Sequence, residues 1–222
     1  MPLPYQKINN YIKKFAFTLA EVLITLGVIG VVAAITIPTL ITSYQKHVVE
    51  TKLTKFNSTI NQALRMSSAE NGDPDAWVTL NKTYNYNETV DFLHTYFFPY
   101  MKYVDYKNCS GSQTGVCITL LDGSLFWFSI DANGGDLVYY VDGTITINPR
   151  NKFQFQFTKK TGINSAINSS SFVEPYIYQW NGKMEHLKNG NTWACKKDCT
   201  NCGYCTKWIQ LNGWKIPKDY PW

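Results

Sequence analysis

The feature that most constrains this chain lies near its start, FTLAEVLITLGVIGVVAAITI from Phe17 to Ile37, where the only charge is Glu21. At 1.5 Å per residue these 21 residues make a helix about 32 Å long, enough to cross the hydrocarbon core of a bilayer. Lys7, Lys13 and Lys14 precede it with no acid among them, whereas Lys46 and Lys52 on the far side are mixed with Glu50. By the positive-inside rule the N-terminus stays in the cytoplasm and the rest of the chain is exported. Two other readings use the same residues. One is a secretory signal cut near Ala33 or Ala34, against which stand the length of the run and the acid inside it. The other is an ordinary signal anchor for an unrelated exported domain.

A charge at the centre of such a helix costs about 2.5–3.5 kcal/mol. Glu21 sits near the cytoplasmic end, where it can reach the interface, so one reading is a tolerated acid at a helix end. The other is a carboxylate that meets a cation within the bilayer, because a desolvated charge must be paired or neutralised.

The stretch KKFAFTLAEVLITLGVIGVVAAITIP, Lys13 to Pro38, resembles the prepilin-type cleavage and methylation motif of type IV pilins and type II secretion pseudopilins. It has basic residues, a small residue, then Phe, Thr and Leu, a Glu four places after the Phe, an apolar run, and a closing Pro. The resemblance implies a structural subunit of a pilus or pseudopilus rather than an enzyme. A prepilin peptidase would cut between Ala16 and Phe17 and the new Phe17 amine would be N-methylated. Glu21 would pair with the Phe17 amine of a neighbouring subunit. The implied partners are that peptidase, identical or related pilin subunits, an inner-membrane assembly platform and the lipid bilayer. The implied location is the bacterial inner membrane, single-pass with a cytoplasmic N-terminus, and then the filament. No cofactor is required. The family usually has Gly before the cut, where this chain has Ala16.

This reading divides the chain into a leader (1–16), a membrane and polymerisation helix (17–38), an amphipathic continuation (39–68) and an exported globular domain (69–222). Val49, Leu53, Phe56, Ile60 and Leu64 recur at helical spacing, and Pro38 kinks the path rather than ending it. AENGDPD, Ala69 to Asp75, marks a loop. A second helix is expected from an Asn87 cap to Phe98, with Val90, Leu93, Phe97 and Phe98 on one face and Pro99 closing it. From Cys117 onward the runs CITLL, SLFWFSI, LVYYV, TITI and FQFQF, separated by Asp-Gly and Asn-Gly turns, predict an antiparallel sheet. The fold class is α+β, a long N-terminal helix laid on that sheet, which is also the pilin-like architecture the resemblance implies.

Composition limits the alternatives. The formal net charge is +5, but beyond Ala16 the balance is 18 basic to 16 acidic residues, with no concentrated basic face for nucleic acid. His47, His94 and His186 are scattered, and neither G-x-S-x-G, a P-loop nor H-E-x-x-H occurs, so no catalytic set is visible. Six cysteines in an exported domain favour disulfides. Cys109 and Cys117 bracket a Gly/Ser loop and are expected to pair. Cys195, Cys199, Cys202 and Cys205 are expected to form two bonds, with three pairings open. Zinc and iron-sulfur ligation are the competing readings of that spacing.

Asp131, Asn133 and Asp136 in DANGGD offer oxygen ligands that suit Ca2+, against the simpler reading of a Gly-rich hairpin turn. Sequons at Asn81, Asn87 and Asn168 are expected to be chance matches if the protein is bacterial, as the resemblance implies. The tail LNGWKIPKDYPW resembles tails on some bacterial pilin-like proteins. The alternative to a filament subunit is a membrane-anchored exported domain that binds a ligand and does not polymerise.

Overall fold

A computed structural model describes residues 17–77, 85–109, 115–131, 134–158, 172–190 and 192–222. Helix α1 runs unbroken from Leu19 to Asn71 and passes through Pro38. It stops at Gly72, whose φ of 78° is the left-handed conformation that closes helices at little cost to glycine. Ala69, Glu70 and Asn71, expected in the loop, complete the last turn of the helix. By contacts the chain separates into a compact unit from Lys46 to Trp222 and the residues before it.

In the compact unit six strands form one antiparallel sheet in sequence order: β1 (Asp105–Asn108), β2 (Val116–Thr119), β3 (Leu125–Asp131), β4 (Gly134–Tyr140), β5 (Lys152–Thr158) and β6 (Val173–Pro175). The expected α+β class therefore holds, with a long apolar helix at the N-terminus. Phe126 and Phe128 of β3, Leu137 and Tyr139 of β4, and Phe153, Phe155 and Phe157 of β5 are all buried. Alternation puts these rings on one face. Against it lies the second part of α1. Phe56 stacks on Tyr139 at 4.2 Å and meets Phe126 and Phe155 at 5.5 and 5.3 Å. Val49, Leu53, Ile60 and Leu64 are buried beside it as the stripe predicts, each contributing about 1.5–3 kcal/mol.

Helix α2 spans Tyr86–Tyr96 and packs Phe92 near Phe128 and Phe157. It opens two residues earlier than expected, because Asn85 rather than Asn87 accepts the Glu88 amide, at 3.2 Å. It also ends earlier, with Phe97 as its C-cap and a 3-10 turn over Phe98–Tyr100. TITI, Thr144 to Ile147, is not a strand. Asp142 accepts from the Thr144 amide and hydroxyl, while Asn151 donates to the Thr144 carbonyl and the Thr146 hydroxyl. These bonds hold the segment as the loop between β4 and β5, with Ile145 and Ile147 exposed.

On the other face Leu125, Trp127, Val138 and Tyr140 cluster with the Cys109–Cys117 disulfide. Two short helices complete the unit, α3 (Met184–Asn189) and α4 (Cys205–Leu211). No residue from Phe17 to Gln45 is buried, and the core begins at Val49. A fragment of residues 46–222 therefore keeps every core side chain.

Candidate functional site

From Leu19 to Gln45 helix α1 is apolar on all sides. Phe17 is 85% exposed, and Leu23, Leu26, Ile29 and Ile35 are each 60% or more exposed. Among the described residues α1 is the one helix long and apolar enough to cross a membrane. Its polar groups are satisfied locally, as lipid demands. Thr25 donates to the Val22 carbonyl, Thr36 to that of Val32 and Thr42 to that of Pro38, at 2.9–3.0 Å.

Glu21 is better provided for than the sequence reading anticipates. The amide and the hydroxyl of Thr18 each donate to its Oε2 at 2.8 Å, and the Glu21 amide donates back to the Thr18 hydroxyl at 3.2 Å. Thr18 and Glu21 thus form a capping box at the first turn. The T-x-x-E spacing could have revealed it. All these donors are neutral, so the box seats the carboxylate without a counter-charge. Ala16 and the leader Met1–Ala16 lie outside the described residues.

All six cysteines are paired, Cys109 with Cys117, Cys195 with Cys205 and Cys199 with Cys202. No thiolate is left for zinc or an iron-sulfur cluster. The inner pair Cys199–Cys202 closes a loop that Lys152 grips from β5. Its Nζ donates to the Asn201 carbonyl at 2.8 Å and to its Oδ1 at 2.7 Å. Burial pushes the Lys152 ammonium down to about 8, only partly offset by Asp136.

Of the three candidate calcium ligands, Asp136 pairs in register with Ser129 and Gln156, and Asp131 pairs with Gly134. Asn133 and the side chain of Asp131 lie outside the described residues. Among the described residues no three His, Cys, Asp or Glu side chains are grouped to hold a metal ion. The histidines stay apart: His94 meets the Tyr106 hydroxyl at 3.0 Å, His186 Nδ1 accepts the Asn181 amide at 3.1 Å, and His47 lies 3.9 Å from Glu50. Asn87 is an exposed residue of α2, and Asn81 and Asn168 lie outside the described residues.

Like Lys152, Asn61 escaped the sequence reading, and Glu50 entered it only as a flanking charge. Asn61 is buried in the apolar face of α1, where its Oδ1 accepts the amides of Phe172 and Val173 and its Nδ2 donates to the Val173 carbonyl, each at 3.0 Å. It ties edge strand β6 to the helix. Glu50 accepts from Lys215 Nζ at 2.9 Å and from the Ile216 amide at 2.8 Å, fastening the C-terminal tail. That tail is pinned further by the Tyr220 hydroxyl, which donates to the Pro149 carbonyl, and by Trp222 between Lys46 and Arg150.

No curated protein and no solved structure matches the chain. One sequence family does, over residues 39–222, the whole of the compact unit and the turns of α1 just before it. The chain belongs to this family of unknown function (DUF6613).

Proposed function

We propose that this protein is a pilin-like subunit, a prepilin or pseudopilin that is held in the inner membrane by α1, cut before Phe17, and assembled through that helix into a filament. One observation carries the reading. A single 53-residue helix is apolar on every side where it precedes the compact unit and apolar on one stripe where it enters it, with one acid in its first turn. The first pattern suits lipid or a bundle of like helices, and the second suits one partner surface. The residues around Phe17 resemble the prepilin motif, and three disulfides suit an exported domain. Cleavage frees the Phe17 amine. The capping box leaves the Glu21 charge unneutralised, so that a neighbouring subunit's amine supplies the missing cation.

The test has two parts. Intact-mass measurement with and without the prepilin peptidase is expected to show peptidase-dependent loss of Met1–Ala16 and one added methyl. A chain that keeps its leader, or begins near Ala34, refutes the cleavage. In the second part Glu21→Gln retains a side chain suited to the capping box and removes the charge. Truncating one member of a desolvated pair costs about 2–5 kcal/mol, about 30-fold or more per subunit added. Processed Glu21→Gln protein is therefore expected to give few or no filaments by electron microscopy. A normal filament yield would remove the ion pair from assembly.

A further inference from the structure

Along one side of α1 a cleft of about 310 Å3 opens between the helix, residues 100–102 and the β2–β3 turn. That volume lies at the lower end of small-molecule sites. Its floor is apolar, with Phe56, Ile60 and Met101 buried, while Met66 and Leu121 stand exposed at its mouth. The charge around it is one-sided, Lys52, Lys55 and Lys102 against Asp122. That aspartate, its Oδ1 accepting the Ser124 amide at 3.1 Å and the Ser124 hydroxyl at 2.5 Å, keeps its charge and offsets one of the three lysines, so the surplus is positive. Lys52 is fixed in the wall by the carbonyls of Val141 and Asp122, at 2.9 and 3.4 Å. These bonds hold the ammonium in place without neutralising it. The cleft thus joins an apolar floor to a surplus of positive charge at its rim.

We propose that this cleft binds a monomeric amphiphilic anion of the fatty-acid class, its chain on Phe56, Ile60 and Met101 and its head group at Lys55 and Lys102. An inorganic anion would leave the apolar floor uncovered. A cationic amphiphile would add to the surplus charge. The site lies wholly within the compact unit and is independent of whether α1 polymerises.

Three methionines, Met66, Met101 and Met184, fall within residues 46–222, and the first two line the cleft. In that fragment, labelled with 13C at the methionine methyls, decanoate is expected to shift Met66 and Met101 saturably and to leave the exposed Met184 in place. Acetate and decyltrimethylammonium are expected to shift neither cleft methyl. Replacing Lys55 and Lys102 together by Gln is expected to weaken decanoate binding about fivefold or more. Leu121→Glu, which sets a like charge at the mouth, is expected to weaken it by a similar factor. Both changes are at exposed positions, so the fold is retained. No saturable shift with decanoate would overturn the proposal and leave the cleft to a protein partner. Equal shifts from the cationic amphiphile, or undiminished affinity in the double variant, would overturn the role given to the lysines.

Discussion

Residues 19–45 and 46–71 belong to one helix, yet their side chains obey different rules. In the first stretch apolar residues occupy every side and not one is buried; in the second they fall at intervals of three and four, and Leu53 and Leu64 are 0% exposed. The polar residues differ in the same way. Thr25, Thr36 and Thr42 turn back to carbonyls of their own helix, whereas Asn61 reaches out to β6 and Glu50 to the C-terminal tail. A stripe can be satisfied by one sheet. An all-round apolar surface needs surroundings that are apolar on all sides, and lipid or other helices supply them.

The largest effect expected from this contrast is a difference between two truncations in the same helix. Phe56→Ala empties the space among Phe126, Tyr139 and Phe155 and is expected to cost about 3–5 kcal/mol. Leu26→Ala truncates a side chain that is 60% exposed and is expected to leave the unfolding midpoint of the compact unit unchanged. Denaturant unfolding of the bilayer-embedded chain, followed through the aromatic signal of the sheet, compares the two. Equal losses would mean that the first stretch also packs on the compact unit.

The second contrast is between the helix, stabilised by burial, and the C-terminal segment, stabilised by cross-links. In that segment Cys195 and Cys205 are separated by 10 positions, and near the other edge of the sheet Cys109 and Cys117 by 8. By the loop-entropy argument each bond contributes about 3 kcal/mol. The double variant Cys195→Ala with Cys205→Ala is expected to lose about that much in urea unfolding of the 46–222 fragment. A change within error would show the segment to be held by packing alone.

How much of this was legible in the sequence depended on whether a pattern was local. The apolar run, the stripe from Val49 to Leu64 and the strands rich in Phe and Tyr announce themselves by period, and all three are present. Strand β1, DYKN, has no such period because it is an edge strand with exposed side chains, and β6 is three residues long. TITI has the period without the sheet, since Asp142 and Asn151 claim its backbone first. The cysteine pairing depends on how the chain folds back between Trp193 and Tyr204, whose amide donates to the Trp193 carbonyl at 2.9 Å, and spacing does not encode that. At the candidate site the acid in the apolar run was legible, and so in principle was its capping box. Asn61 and Lys152 were not, because each is explained by a partner more than 40 positions away.

Lys152, the first residue of β5, gives the compact unit a pH dependence. Its folded value of about 8 lies below the roughly 10.4 of an exposed lysine, so between these values the unfolded chain binds more protons. Stability must then rise as pH increases from about 8 toward 10. The full difference, reached only above the unfolded value, is on the order of 3 kcal/mol. Above about pH 10 the trend reverses, because burial raises Tyr139, Tyr140 and Tyr220 and the unfolded chain releases those protons first. Urea midpoints of the 46–222 fragment and of its Lys152→Met variant, measured from pH 7 to 10, check the sign. The native fragment is expected to gain across that range and the variant to gain less, because burial also lowers the Lys207 ammonium. A gain of equal size in both would assign it to another group.

The smallest effect concerns the first turn of α1, where capping and charge coincide in two residues. Thr18→Ala removes the hydroxyl that bonds both the Glu21 carboxylate and the Glu21 amide while keeping the acid. Loss of such a cap costs about 1 kcal/mol, and a turn with no tertiary contact can spend it only by fraying. Amide exchange in the bilayer-embedded chain is therefore expected to quicken about fivefold at the first turn and to stay unchanged from Val49 to Leu64. Glu21→Gln should show the opposite pairing, an intact first turn with assembly lost. If Thr18→Ala abolished filaments as completely as Glu21→Gln, with cleavage normal in both, the shape of the capped turn rather than its charge would govern assembly. If only Glu21→Gln did so, the capping box would be a local seat for a carboxylate whose role lies between chains.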